Sequence, residues 1–140
     1  MSFTKKISMF GVKTKKQIDF FVFTICTDIT NGIVLKTPVD TGRARANWFA
    51  SLDTPNGTVT TKTDASGSSA INEARSIAQQ AAGRVFYLSN NLPYIRHLEY
   101  GLYGNPSGSA NGPKTISGFS KQAPAGMVRT TVNEVVRSYS

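Results

Sequence analysis

From Thr14 the chain runs for more than twenty residues before Pro38 stops it. Within that run Ile18, Val22, Ile25, Ile29 and Ile33 recur at steps of three and four, the apolar stripe of an amphipathic helix. Phe, Thr, Ile and Val favour strands, and Gly32 weakens a helix. Length decides between the two, because a typical strand is far shorter. A long helix with one apolar stripe must lay that stripe on other elements, so the rest of the chain has to supply them.

After Pro38 the punctuation changes. Asp40-Thr41-Gly42 reads as a turn, with Asp bonding back to the backbone and Gly supplying a positive φ. Arg45 to Asp53 reads as a strand, with Ala46, Trp48, Ala50 and Leu52 alternating against polar or larger neighbours. Arg43 and Arg45 would leave the turn on that strand pointing to one side, toward phosphate or a neighbouring subunit's carboxylate. Pro55-Asn56-Gly57 signals a turn and makes Thr58 to Thr63 the expected antiparallel partner strand. Residues 64 to 69 read as a mobile surface loop. A second helix is expected over Ile71 to Ala82, closed by Gly83, and Arg84 to Ser89 as a short strand. Pro93 opens a brief helical turn that Gly101 ends, and residues 101 to 120 read as a long loop. Pro124 starts the last helix, with Met127, Val128, Val132, Val135 and Val136 as its apolar face. The order predicts an α+β domain in which long N-terminal and C-terminal helices pack on a small antiparallel sheet.

At 140 residues and 39% hydrophobic content the chain is one domain able to bury a core without metal or disulfide staples. Cys26, the single cysteine, sits among Phe23, Ile25 and Ile29 and reads as a small buried hydrophobe in a reducing setting. Ile18 to Val34 is the most apolar stretch, but Asp19, Thr24, Thr27, Asp28, Thr30 and Asn31 interrupt it. The expectation is a soluble protein made in the cytoplasm, with no membrane partner. Sixteen basic residues against eight acidic ones give a net charge of +8, which favours polyanions or acidic protein surfaces. Lys5, Lys6, Lys13, Lys15 and Lys16 all precede the first acid, Asp19, so residues 1 to 13 read as a basic, extended arm.

Catalytic constellations are hard to assemble from this sequence. His97 is the only histidine, and its pairing with Glu99 as an acid–base couple competes with a purely structural role. Asp40-Thr41-Gly42 matches the aspartic-protease tripeptide, yet it follows a helix-ending proline instead of a buried strand. The Gly-rich tract after Gly101 lacks the Gly-Lys-Ser/Thr ending of a phosphate loop. No cofactor and no metal are expected, and the chain does not read as an enzyme.

Three segments together carry a resemblance. Thr37-Pro38-Val39-Asp40-Thr41-Gly42-Arg43-Ala44-Arg45-Ala46-Asn47-Trp48 comes first, then the stretch from Leu88 to Gly101 containing Tyr94-Ile95-Arg96-His97-Leu98-Glu99-Tyr100-Gly101. The third is Ser120-Lys121-Gln122-Ala123-Pro124-Ala125-Gly126-Met127-Val128-Arg129. In this order they resemble the neck and tail-completion proteins of long-tailed bacteriophages, the head–tail joining proteins. In that family a long N-terminal helix precedes a Pro-Val-Asp-Thr-Gly segment, a Tyr…Glu-x-Gly segment follows, and a proline step introduces the last helix. The lysine-rich arm and the extended Gly/Ser loop depart from the pattern.

The resemblance implies a virion protein assembled in the host bacterial cytoplasm. It would form a ring, a hexamer by expectation, at the head-proximal end of the tail. There it would terminate or complete the tail and join it to the head connector, with DNA passing through the hole. Its partners would be itself, the tail tube protein, head connector or adaptor proteins and, transiently, phage genomic DNA. Candidate subunit or partner contacts are Lys5, Lys6, Lys13, Lys15, Lys16, Asp40, Arg43, Arg45, Arg96, Glu99, Lys114 and Lys121. A channel that lets DNA slip should avoid a dense positive lining, so much of the charge is expected to face partner proteins. The competing expectation is a small basic nucleic-acid-binding protein, its lysine arm on phosphates and Trp48 or the tyrosines stacking on bases.

Overall fold

The computed structural model describes residues 14–103 and 114–139. The expected N-terminal arm, with Lys5, Lys6 and Lys13, lies outside the described residues, as does the middle of the long loop. The architecture is α+β. Helix α1 (Lys15–Lys36) is followed by a helical turn α2 (Arg43–Ala46), strand β1 (Phe49–Leu52) and helix α3 (Ser68–Ala78). Then come strand β2 (Phe86–Ser89), helix α4 (Ile95–Tyr100), the small hairpin β3 (Thr115–Ile116) and β4 (Phe119–Ser120), and helix α5 (Val128–Ser138).

Helix α1 starts in a capping box. Thr14 Oγ1 accepts from the Gln17 amide and Gln17 Oε1 from the Thr14 amide, both at 3.2 Å. It ends at Thr37, held extended (φ −65°, ψ 125°) because the following proline disfavours helical geometry. By length and composition alone α1 would also suffice to cross a bilayer. Its C-terminal half is instead a core helix of this domain. Ile33 and Val34 are fully buried with Trp48, Leu92, Leu98 and Met127, each such side chain contributing about 1.5–3 kcal/mol by leaving water. A second cluster joins Cys26, Ala78 and Ala81 to Val22, Phe23, Leu52 and Phe86, so α3 and the sheet flank the middle of α1. Burial pushes the Cys26 thiol up, in keeping with a packing role.

The first sheet departs from expectation in two ways. Strand β1 begins only at Phe49, because Arg43 to Ala46 coil into a helical turn after Gly42. Its antiparallel partner is β2, in the register Phe49↔Ser89 to Leu52↔Phe86, and not residues 58 to 63. Asn47 explains the exclusion. Its side-chain amide donates to Arg43 O and Thr60 O, and its Oδ1 accepts from the Thr60 amide at 2.8 Å. A side chain thereby satisfies the backbone that a strand ladder would have used. Residues 64 to 69 are also better organised than a mobile loop. The Asp64 carboxylate takes the Ser66 and Ser69 amides and the Ser66 hydroxyl, fixing the entry to α3. These bonds, led by the Ser66 hydroxyl, lower the Asp64 pKa.

The last helix begins at Val128, four residues after Pro124, because Gly126 adopts φ +85° and cannot continue a helix. Its expected apolar face is turned differently too. Met127 and Thr131 are buried, whereas Val132 and Val136 are exposed. Thr131 faces Gly32, where a Cβ would lie 2.5 Å from Thr131 Cγ2, so the glycine that weakens α1 lets α5 approach it closely. Lys36 Nζ then reaches Thr131 Oγ1 (2.9 Å) and Glu134 (2.6 Å), and Tyr139 OH reaches Asp28 at the other end.

Candidate functional site

The three segments singled out in the sequence meet in space. Trp48 Nε1 donates to Thr37 Oγ1 at 2.9 Å, and Thr37 Oγ1 donates to Ile33 O at 2.7 Å, closing the first segment on the end of α1. The first and third segments join through Gln122, whose side-chain amide accepts from the Val39 N–H and donates to Val39 O, both at 2.8 Å. That pair of bonds copies a strand contact with a side chain. The second and third join through Glu99. Its carboxylate accepts from the amides of Met127 (2.7 Å), Val128 (2.8 Å) and Arg129 (3.0 Å), and from Arg129 Nε (3.0 Å). Arg129 Nη2 also donates to Glu99 O, and the guanidinium lies 4.8 Å from the Tyr100 ring centre.

Glu99 thus caps the N-terminus of α5 from another helix, with its negative charge against the helix dipole. Burial pushes its carboxyl up, but the three amides and the guanidinium outweigh that and hold it below the usual glutamate range. Its carboxylate is committed to α5, and the His97 ring packs instead on Tyr103, 5.2 Å between centres. The acid–base couple considered from the sequence is not assembled.

Arg45 is likewise turned inward. Its guanidinium donates to Thr37 O, Ala65 O and Leu35 O, each at 2.8 Å, tying the end of α1 to the entry of α3. Arg43 Nε donates to Thr60 O at 2.9 Å. On a helical turn the two arginines diverge, so the expectation that they share one side of a strand does not hold. Gly42 makes this turn. It has φ +89°, and a Cβ there would come within 2.5 Å of the Ala65 amide nitrogen.

Of the candidate contacts, four come together. Asp40, Arg43, Lys114 and Lys121 line one open groove of about 830 Å³ between the Asp40–Gly42 turn, α4 and the β3–β4 hairpin. Val39, Tyr94, Leu98 and Tyr103 provide its apolar surface. Lys114 Nζ stands 3.6 Å from Asp40, with both side chains more than four-fifths exposed. Such a pair is worth well under ~1 kcal/mol in water. Lys15 and Lys16 are exposed at the start of α1, and Arg96 is exposed on α4; none of the three lines the groove. Glu99 is a buried residue of α4 and is an internal clamp, not a surface contact. Arg129, Gln122, Asn47 and Thr37 were not picked out from sequence, although three of them fall inside the segments that carry the resemblance and the fourth, Thr37, begins one. Among the described residues no group of three or more His, Cys, Asp or Glu side chains could hold a metal ion. Comparison with protein-family models, curated proteins and solved structures returns no match, so the functional reading stands on the chain's own segments and geometry.

Proposed function

We propose that the chain is a structural virion protein of a long-tailed bacteriophage. It forms a ring at the head-proximal end of the tail and completes the tail or joins it to the head connector. The observation that supports this most is the mutual bonding of the three segments. Thr37 to Trp48, Leu88 to Gly101 and Ser120 to Arg129 lie far apart in sequence, yet Gln122 and Glu99 stitch them into one unit. A resemblance spread over three short segments gains weight when those segments depend on one another physically, because the pattern then describes one architecture. A rigid unit with a loop-lined groove on one side also suits a subunit whose work is assembly.

The nucleic-acid reading loses one of its supports, and the phosphate contact considered for Arg45 is lost with it. Trp48 is 5% exposed with its N–H bonded to Thr37, so it offers no face to a base. Arg45 spends its guanidinium on three carbonyls of its own chain instead of phosphates.

Removing the gene from the phage that encodes it tests the proposal. The expected result is packed heads and separate tails by negative-stain microscopy, restored to joined particles when the protein is supplied in trans. Normal joined, infectious particles without the protein would overturn it.

A further inference from the structure

The groove between the Asp40–Gly42 turn and the β3–β4 hairpin combines an apolar strip with a cationic rim. Its apolar part comes from Val39, Leu98, Tyr94 and Tyr103, of which Leu98 is buried while the other three are half-buried. Around this stand three cationic side chains, Arg43, Lys114 and Lys121, against a single carboxylate, Asp40. Burial, and then the proximity of Tyr94, raise the Tyr103 pKa, so that phenol adds no negative charge to the groove. The local balance is therefore cationic, beside an apolar strip formed by four side chains.

We infer that this groove is a docking site for an extended, acidic peptide segment of a partner protein. Apolar side chains of the segment lie on the tyrosines, Leu98 and Val39, and its carboxylates meet Lys114, Lys121 and Arg43. Charge complementarity selects this occupant. A basic segment would meet three cations against one carboxylate, whereas a wholly apolar one would gain nothing from their excess positive charge. Asp40 works against the acidic segment, because it engages Lys114 and repels an incoming carboxylate. The inference rests on the groove and not on the virion reading, and it would hold for a partner of any origin.

Fluorescence anisotropy with two labelled hexapeptides, DELFED and its charge-reversed counterpart KRLFRK, tests it on the full chain. DELFED is expected to bind saturably with a dissociation constant below about 1 mM, weakening as salt rises, while KRLFRK does not bind. The double variant K114E/K121E should weaken DELFED about tenfold or more, since two exposed cations are reversed. D40N should tighten it, an effect that damage to the fold would not produce. All three side chains are exposed, and an unchanged circular-dichroism melt confirms that each variant is folded. The inference is overturned by DELFED failing to saturate, by equal affinity for KRLFRK, or by D40N and K114E/K121E leaving the affinity unchanged. Binding of an oligothymidylate as tight as that of DELFED, with the same response to the variants, would also overturn it. The groove would then be a general anion patch and not a peptide site.

Discussion

The Glu99 carboxylate accepts the Met127 amide at 2.7 Å, across 28 residues of sequence, and in doing so sets where the last helix begins. The helix start carries no side-chain cap of its own. Glu99→Ala would leave three amides, that of Met127 buried, and the half-exposed Arg129 guanidinium without their acceptor. The expected loss is about 3 kcal/mol of unfolding free energy, read as a shift in urea midpoint with little change in slope.

The same carboxylate dictates a pH dependence. Its pKa is lower in the folded protein than in the unfolded chain, so its contribution is fully present above the unfolded value, about pH 4.3, and is lost as pH falls through the lower folded value. Across this acid window the unfolding free energy from urea melts should fall with pH more steeply in the wild type than in Glu99→Gln. Equal slopes in both proteins would show that Glu99 is not held below its usual range.

Thr37 and Trp48 are both buried, and the indole N–H has Thr37 Oγ1 as its acceptor. Thr37→Val keeps the shape but strands the N–H, at an expected cost of about 1–3 kcal/mol. A double-mutant cycle with Trp48→Phe should return a coupling of about 1 kcal/mol. Additive single effects would mean that the bond contributes nothing.

Arg43 and Arg45 should behave differently from each other. Arg45→Ala removes three donors to backbone carbonyls and should destabilise by about 1.5–3 kcal/mol. Arg45→Lys should fail to restore this, because a single ammonium cannot reproduce the planar fork. Arg43→Ala removes the Nε bond to Thr60 O and should cost about 1 kcal/mol. Thermal melts of the three variants check the order.

Gly42→Ala should be the most damaging small substitution in the Asp40–Gly42 turn. At φ +89° a side chain is strained, and its Cβ would press on the backbone of Asp64 and Ala65. The expected cost exceeds about 2 kcal/mol, and a melt within error of wild type would refute the geometry of the turn.

Much of the α+β framework was legible because it depends on local signals. The stripe from Ile18 to Ile33 and the stop at Pro38 gave α1, and Gly101, at φ +66°, ends α4 where a C-terminal glycine signal pointed. What was misread depends on groups that act at a distance. Ala46, Trp48, Ala50 and Leu52 alternate like a strand, yet Arg45 finds its carbonyls only after α1 and the Ala65 loop have come together. Pro55-Asn56-Gly57 has the spelling of a hairpin turn, but Asn47 captures Thr60 and leaves β1 to pair with β2. The valines of α5 look like a core stripe in sequence, and Thr131 takes that place because Gly32 makes room for it. As for the groove, the charges were visible but their convergence was not. Asp40, Arg43, Lys114 and Lys121 come together when the Gln122–Val39 pairing and the Tyr103–Gly118 bond bring the hairpin to its place.

The most direct test of the proposed head–tail role is cryo-electron microscopy of purified particles produced with this chain's gene present. The expected density is a closed ring of about six copies between the tail tube and the head connector, into which α1, the β1–β2 sheet and α5 fit as one body. A neck fully accounted for by other proteins, with this chain absent from the particles by mass spectrometry, would contradict it.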